Sequence, residues 1–180
     1  KDMTVIRIDP GMIFGTGSHE TTRLCLEEIE KHIKKGSSFL DLGCGSGILS
    51  IGALLLGARQ ALCVDIEENA REVVKENAEL NGINSGIETL VGDLLEDKEL
   101  ISRLLENQYE FIAANIVAGV IIGILPMVKR CLDDYGIFVC SGIIDDRVDE
   151  VRNALLENGF KIISEKNEDK WTAFTTVKER

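Results

Sequence analysis

The sequence is short of proline, with two in 180 residues, and short of basic charge, with 20 lysines and arginines against 31 aspartates and glutamates. Few prolines, together with 44% hydrophobic and 28% charged residues, exclude disordered, collagen-like and disulfide-scaffold chains and predict order nearly throughout. The deficit of basic charge leaves a net charge of −11. Its average field repels phosphate backbones and anionic membranes, so neither direct nucleic-acid binding nor a membrane partner is expected. No Cys-x-x-Cys pair occurs: Cys25, Cys44, Cys63, Cys131 and Cys140 are odd in number and widely spaced. They read as buried free thiols in a reducing, cytoplasmic compartment rather than as a metal or redox centre. No signal peptide, internal repeat or linker is found. The longest uncharged stretch, Phe111 to Val128, is interrupted by Asn115, Gly119, Gly123 and Pro126 and reads as a buried strand followed by a buried helix, not a membrane span. The length fits one domain over residues 1–180. The chain begins at Lys1 rather than methionine, as a fragment with its upstream part removed would.

What is present is an alternation of short apolar runs with helical patterns, the signature of an α/β protein. Phe39 to Leu42, Ala61 to Val64, Ile87 to Val91, Phe111 to Ala114 and Ile137 to Cys140 predict five parallel strands covered on both faces. Between them, Ile48 to Leu56 is apolar all round, Ala70, Val73, Val74 and Asn77 share a face, and Ala118, Ile121, Ile122, Leu125 and Val128 share another, as crossover helices do. The C-terminal end departs from this pattern. A helix carrying Val148, Val151 and Leu155 stops near Gly159, and the runs Lys161 to Ser164 and Thr172 to Val177 follow it directly. About six residues separate them, enough only for a hairpin, so the last strand of a seven-stranded, mostly parallel sheet should run antiparallel.

The turn after the first strand reads Asp41-Leu42-Gly43-Cys44-Gly45-Ser46-Gly47. Gly43 and Gly45 let the backbone approach a ligand closely, and a cofactor is expected there. The spacing is Gly-x-Gly-x-Gly rather than the Gly-x-Gly-x-x-Gly of dinucleotide sites, which weakens an NAD-linked oxidoreductase as the alternative. Asp65 closes the second strand, where a carboxylate can accept both hydroxyls of a ribose; the competing role is an N-cap for the helix that follows. Asp93, just after the third strand, is placed to accept from an adenine amine or to cap the segment beginning at Leu94. Asn115 ends the fourth strand in the crevice where open α/β sheets bind ligands, and its amide can both donate and accept.

Upstream, Asp9 to Thr22 is a glycine-rich loop leading into a helix on which Thr22, Leu26, Ile29 and Ile33 share the inward face. The Thr22 hydroxyl therefore needs a partner, either backbone in the first helical turn or a cofactor carboxylate. His19 reads as a loop or capping histidine, and Asn77 as a satisfied structural amide. Phe14-Gly15-Thr16-Gly17, Asp41 to Leu49, Val64-Asp65-Ile66, Ala114-Asn115-Ile116, Ser141-Gly142-Ile143 and the Trp171 strand together resemble the PrmA family, bacterial methyltransferases of ribosomal protein L-eleven. The resemblance implies a Rossmann-like class I S-adenosylmethionine-dependent methyltransferase. It implies that Thr22, Gly43, Asp65 and Asn115 hold S-adenosylmethionine and that the Phe14 to His19 loop borders the methyl group. It implies a ribosomal protein as partner, methylated on lysine or N-terminal amines, with Asn115 helping to position the reacting groups and no metal required. Glu20 stands where many members have proline, and the family's separate N-terminal recognition domain is missing from the sequence. Another protein or a small molecule as methyl acceptor, and a non-catalytic cofactor-binding module, are the remaining alternatives.

Overall fold

In the computed structural model, described for residues 3–9 and 19–180, helices and strands alternate along the chain. They run α1 Glu20–His32, β1 Ser38–Leu42, α2 Ile48–Leu55, β2 Gln60–Asp65, α3 Ala70–Leu80, β3 Ile87–Val91, α4 Lys98–Leu105, β4 Tyr109–Asn115, α5 Ala118–Cys131, β5 Leu132–Ile144, α6 Val148–Glu157, β6 Phe160–Glu168 and β7 Trp171–Lys178. The seven strands form one sheet in the order β3-β2-β1-β4-β5-β7-β6. Strands β1 to β5 pair in parallel, and β7 lies antiparallel between β5 and β6.

Four of the five apolar runs are strands because both faces of the sheet are covered there; Ile87 to Val91, expected to be covered likewise, forms the edge strand β3 and has no fully buried residue, since no strand flanks it on its outer side. In β1, Leu40 and Leu42 point into a core shared with α4, α5 and α6, whereas Phe39 points into a second core shared with α1 and α2. Fully buried side chains such as Phe39, Phe111, Ile112 and Phe138 each contribute about 1.5–3 kcal/mol by leaving water. The apolar stretch after Glu110 divides between β4 and α5 as its interruptions suggested. No helix among the described residues is long and apolar enough to cross a membrane.

Three elements differ from the sequence pattern. Helix α4 is not visible in it, because only Leu100 and Leu104 of its eight residues are buried. Strand β5 starts at Leu132, ahead of its apolar run, since the exposed Asp134 and Tyr135 disguise the early part. The hairpin is longer and tighter than expected: pairing continues to Glu168 opposite Trp171, leaving only Asp169 and Lys170 as the turn. Asp169 takes a left-handed φ of 52°, which aspartate tolerates better than most residues.

Candidate cofactor site

Strand order reverses between β1 and β4, because the chain builds outward through β2 and β3 on one side and through β5 on the other. Ligands of open sheets bind at such a point, beyond the carboxyl ends of the strands. Leu42 is in register with Ala114, so the glycine loop and Asn115 leave the sheet side by side. Gly43 has φ 77°, and a Cβ there would overlap Ile116 Cγ2. The loop can therefore take this path only with glycine at that position. Its N–H and that of Cys44 both donate to the Val64 carbonyl, at 2.8 and 2.9 Å, which pins the loop to the end of β2.

The half-buried Asp65 uses its carboxylate to join two segments. Oδ2 accepts from the Gly45 N–H at 2.8 Å and Oδ1 from the Glu67 N–H at 3.0 Å. The local capping contact and the link to the glycine loop thus coexist, and each oxygen retains a lone pair for a ligand. Asp93 accepts from the Leu95 N–H at 2.8 Å through Oδ1, the turn-capping contact, and stands at the end of the neighbouring strand β3. On β1, one residue before Leu42, Asp41 is buried at 0% exposure. Its Oδ2 accepts from the Ser50 hydroxyl at 2.8 Å and the Ser50 N–H at 3.2 Å. Burial pushes its pKa up to about 7, partly offset by Ser50 and reinforced by the charge of Asp65.

On the other side of the loop, the Asn115 Nδ2 donates to the Thr22 hydroxyl at 3.3 Å. The Thr22 hydroxyl thus accepts from a side chain 93 positions away, a partner the helix pattern alone does not offer. Ser141 reinforces the junction: its hydroxyl donates to the Thr21 carbonyl at 3.2 Å, and its own carbonyl accepts from the Ile116 N–H at 3.1 Å. Ser141 carried a signal in its polar side chain at the end of an apolar run, but its contact to α1 needs the folded sheet. Next to it, Gly142 has φ 84°, and a Cβ there would come within 2.7 Å of the Ile116 carbonyl and 3.2 Å of Asn115 Oδ1. His19 caps α1, accepting from the Thr21 N–H, and sets its ring edge-on to Trp171 at 5.2 Å. Of the expected Phe14 to His19 loop, only His19 falls within the described residues.

Thr22, Gly43, Gly45, Asp65 and Asn115 are thereby brought to one edge of the sheet, with Asp93 one strand further out. Five cysteines are buried free thiols, and burial raises Cys140 to about 12. A family model described as ribosomal protein L11 methyltransferase (PrmA) matches residues 1–179. The chain belongs to the ribosomal protein L11 methyltransferase family. Curated members from Caldicellulosiruptor saccharolyticus and Lachnoclostridium phytofermentans are 44% and 40% identical over 95% and 97% of this chain. The chain spans about half the length of these relatives, 54% and 56% respectively. Among solved structures, ribosomal protein L11 methylase from Lactobacillus delbrueckii subsp. bulgaricus matches with a TM-score of 0.87 and 33% identity, over 98% of this chain and 86% of that one. A TehB-like SAM-dependent methyltransferase from Corynebacterium glutamicum, 16% identical, matches at a TM-score of 0.68 over 86% of this chain and 87% of its own, a likeness of fold. The Rossmann-like class I methyltransferase fold is therefore common to this family member and to distant methyltransferases.

Proposed function

We propose that the chain is the catalytic part of an S-adenosylmethionine-dependent methyltransferase that modifies amino groups of ribosomal protein L11, on lysine side chains, the N-terminal amine or both. The observation that carries this reading is the meeting of Thr22 and Asn115 beside the glycine loop, at the strand ends of a family whose members bear that activity in their names. The donor set fits the cofactor. Asp65 and Asp93 present carboxylates, and Thr22 and Asn115 present neutral polar groups. Such a set suits a phosphate-free nucleoside carrying a positive charge and disfavours the pyrophosphate of NAD.

When bound, S-adenosylmethionine supplies an electrophilic methyl on a sulfonium, and in-line attack by a neutral amine moves the carbon–sulfur electron pair to sulfur and leaves a proton for solvent. Asp65 would take the ribose hydroxyls, Asp93 the adenine amine, and Thr22 a carboxylate. Asn115, held by Thr22 through Nδ2, keeps Oδ1 for the acceptor amine and so orients it. No side chain is assigned as a general base. An ordinary lysine has a pKa of ~10.4, and desolvation beside the positively charged sulfonium would favour its neutral form. The buried free cysteines fit a reducing cytoplasm.

The test is incubation of the chain with radiolabelled S-adenosylmethionine and unmodified ribosomal protein L11, free and in ribosomes, followed by mass mapping. Label on lysine or N-terminal amines is expected. Cofactor binding without label in any substrate would make the chain a binding module, and preferential binding of NADH would remove the reading altogether.

A further inference from the structure

Asn77 lies on α3, outside the residues assigned above, and is 1% exposed. Both ends of its amide are engaged. Nδ2 donates to the Ser46 carbonyl of the glycine loop at 2.9 Å, and Oδ1 accepts from the Asp9 N–H at 2.9 Å. One turn along the same helix, Asn81 accepts from the Arg7 N–H at 2.8 Å and donates to the Arg7 carbonyl at 2.6 Å. Alternate residues of the 3–9 segment are thus paired with α3 as a strand would be. Ile6 and Ile8, between and beside them, pack on the core shared by α1 and α2. The two asparagines are equivalent in position and differ in reach, because Asn77 alone also holds the glycine loop.

We propose that Asn77 is a positioning residue that couples cofactor binding at the glycine loop to docking of the 3–9 segment. The proposal rests on reading that loop as part of the S-adenosylmethionine site. A buried amide with a donor bond at one end and an acceptor bond at the other cannot flip without setting NH₂ against an N–H and oxygen against a carbonyl. A movement of the Ser46 carbonyl is therefore felt at the Asp9 N–H through one rigid group. Linkage makes the effect reciprocal: a ligand that fixes the loop tightens the Asp9 bond, and a chain lacking that bond holds the ligand more weakly. Asn81 has no such consequence, since its remaining contact is to the Asn77 carbonyl within α3.

The experiment is amide hydrogen exchange of the wild-type chain with and without S-adenosylhomocysteine, paired with calorimetric titration of the same compound into the variants. Saturation is expected to slow exchange at the Asp9 N–H about tenfold. Asn77→Ala should abolish that slowing and weaken binding about tenfold, while Asn81→Ala, though less stable, should bind within about twofold of wild type. Asn77→Asp keeps an oxygen for Asp9 but faces the Ser46 carbonyl with a second one, and should behave as Asn77→Ala does. Unchanged exchange at Asp9 on saturation, wild-type affinity in Asn77→Ala, or an equal loss in Asn81→Ala would overturn the coupling and leave the cofactor site standing. Should the Asn77 variants fail to fold, the wild-type exchange measurement decides alone. Failure of the wild-type chain to bind S-adenosylhomocysteine would overturn both.

Discussion

Glu28 and Asp41 are both buried on the same side of the sheet, at 1% and 0% exposure, yet their surroundings have little in common. Glu28, on α1, has the Lys166 ammonium 2.7 Å from Oε1, the Thr175 hydroxyl donating to Oε2 at 2.7 Å, and His32 Nε2 at 3.3 Å. Burial alone would raise its pKa, but the bonds from Lys166 and Thr175 outweigh burial and hold the carboxyl below its usual range. Among the described residues Asp41 accepts from Ser50 alone; burial outweighs these two bonds and raises its pKa, and the like charge of Asp65 adds to the rise. The seam between α1 and the final hairpin is neutralised, as a contact made for stability should be. The seam beneath the glycine loop holds no cation beside Asp41 among the described residues, so burial there favours the neutral carboxyl. Burial of a charge therefore says little until its partners are counted.

The comparison predicts that changes at the loop edge alter function more than stability, and that changes at the hairpin seam do the reverse. Asn115→Ala should give the largest effect, lowering single-turnover methylation about a hundredfold or more through lost alignment, with the melting temperature nearly unchanged. An unaltered rate would remove Asn115 from the reaction. Lys166→Met leaves Glu28 buried without its cation and should cost about 2 kcal/mol, less than a fully buried pair because the ammonium is one-third exposed. Methylation per folded molecule should stay at the wild-type level.

The same pair sets a pH signature. Because the folded pKa of Glu28 lies below its unfolded value near 4.5, its contribution is complete above that value and is lost as pH falls through the folded one. Lys166→Met should abolish this acid-side loss, which melting curves between neutral and acid pH would show. Asp65→Ala should weaken S-adenosylhomocysteine binding about tenfold, by removing charge-assisted bonds, and leave the fold intact; equal affinity in calorimetry would separate Asp65 from the ligand. Asp41→Asn should act on stability with the opposite sign. A carboxyl whose pKa is raised to about 7 in the folded state loses stabilisation as pH climbs from its unfolded value near 3.8 through 7. The asparagine variant should therefore melt higher than wild type at pH 8 and match it below about pH 4. A gain that is constant with pH would point to packing instead.

Much of the fold was legible because parallel strands buried on both faces leave apolar runs such as Phe39 to Leu42. Helix α4 was not, since a surface helix that buries two leucines prints too thin a stripe. The glycine loop, Asp65 and Asn115 could be read from their places at strand ends. Their mutual contacts could not: the bond between Asn115 and Thr22 depends on β4 lying next to β1 and on α1 packing across both. Glu28 was hidden for the same reason, because a glutamate inside a helix looks solvated until its partners Lys166 and Thr175 arrive from the far end of the chain.

The position of β7 has a consequence for how the molecule comes into being. Among the described strands, β6 reaches the sheet only through β7, which follows it in sequence and ends at Lys178. During synthesis the hydrogen-bonding edge of β5 must stay open until β7 has followed β6 out, so the later-made of the two strands is the insert and the earlier one the border. A chain cut before Trp171 should therefore carry a sticky, unfilled slot beside β5 and be prone to self-association rather than merely shortened.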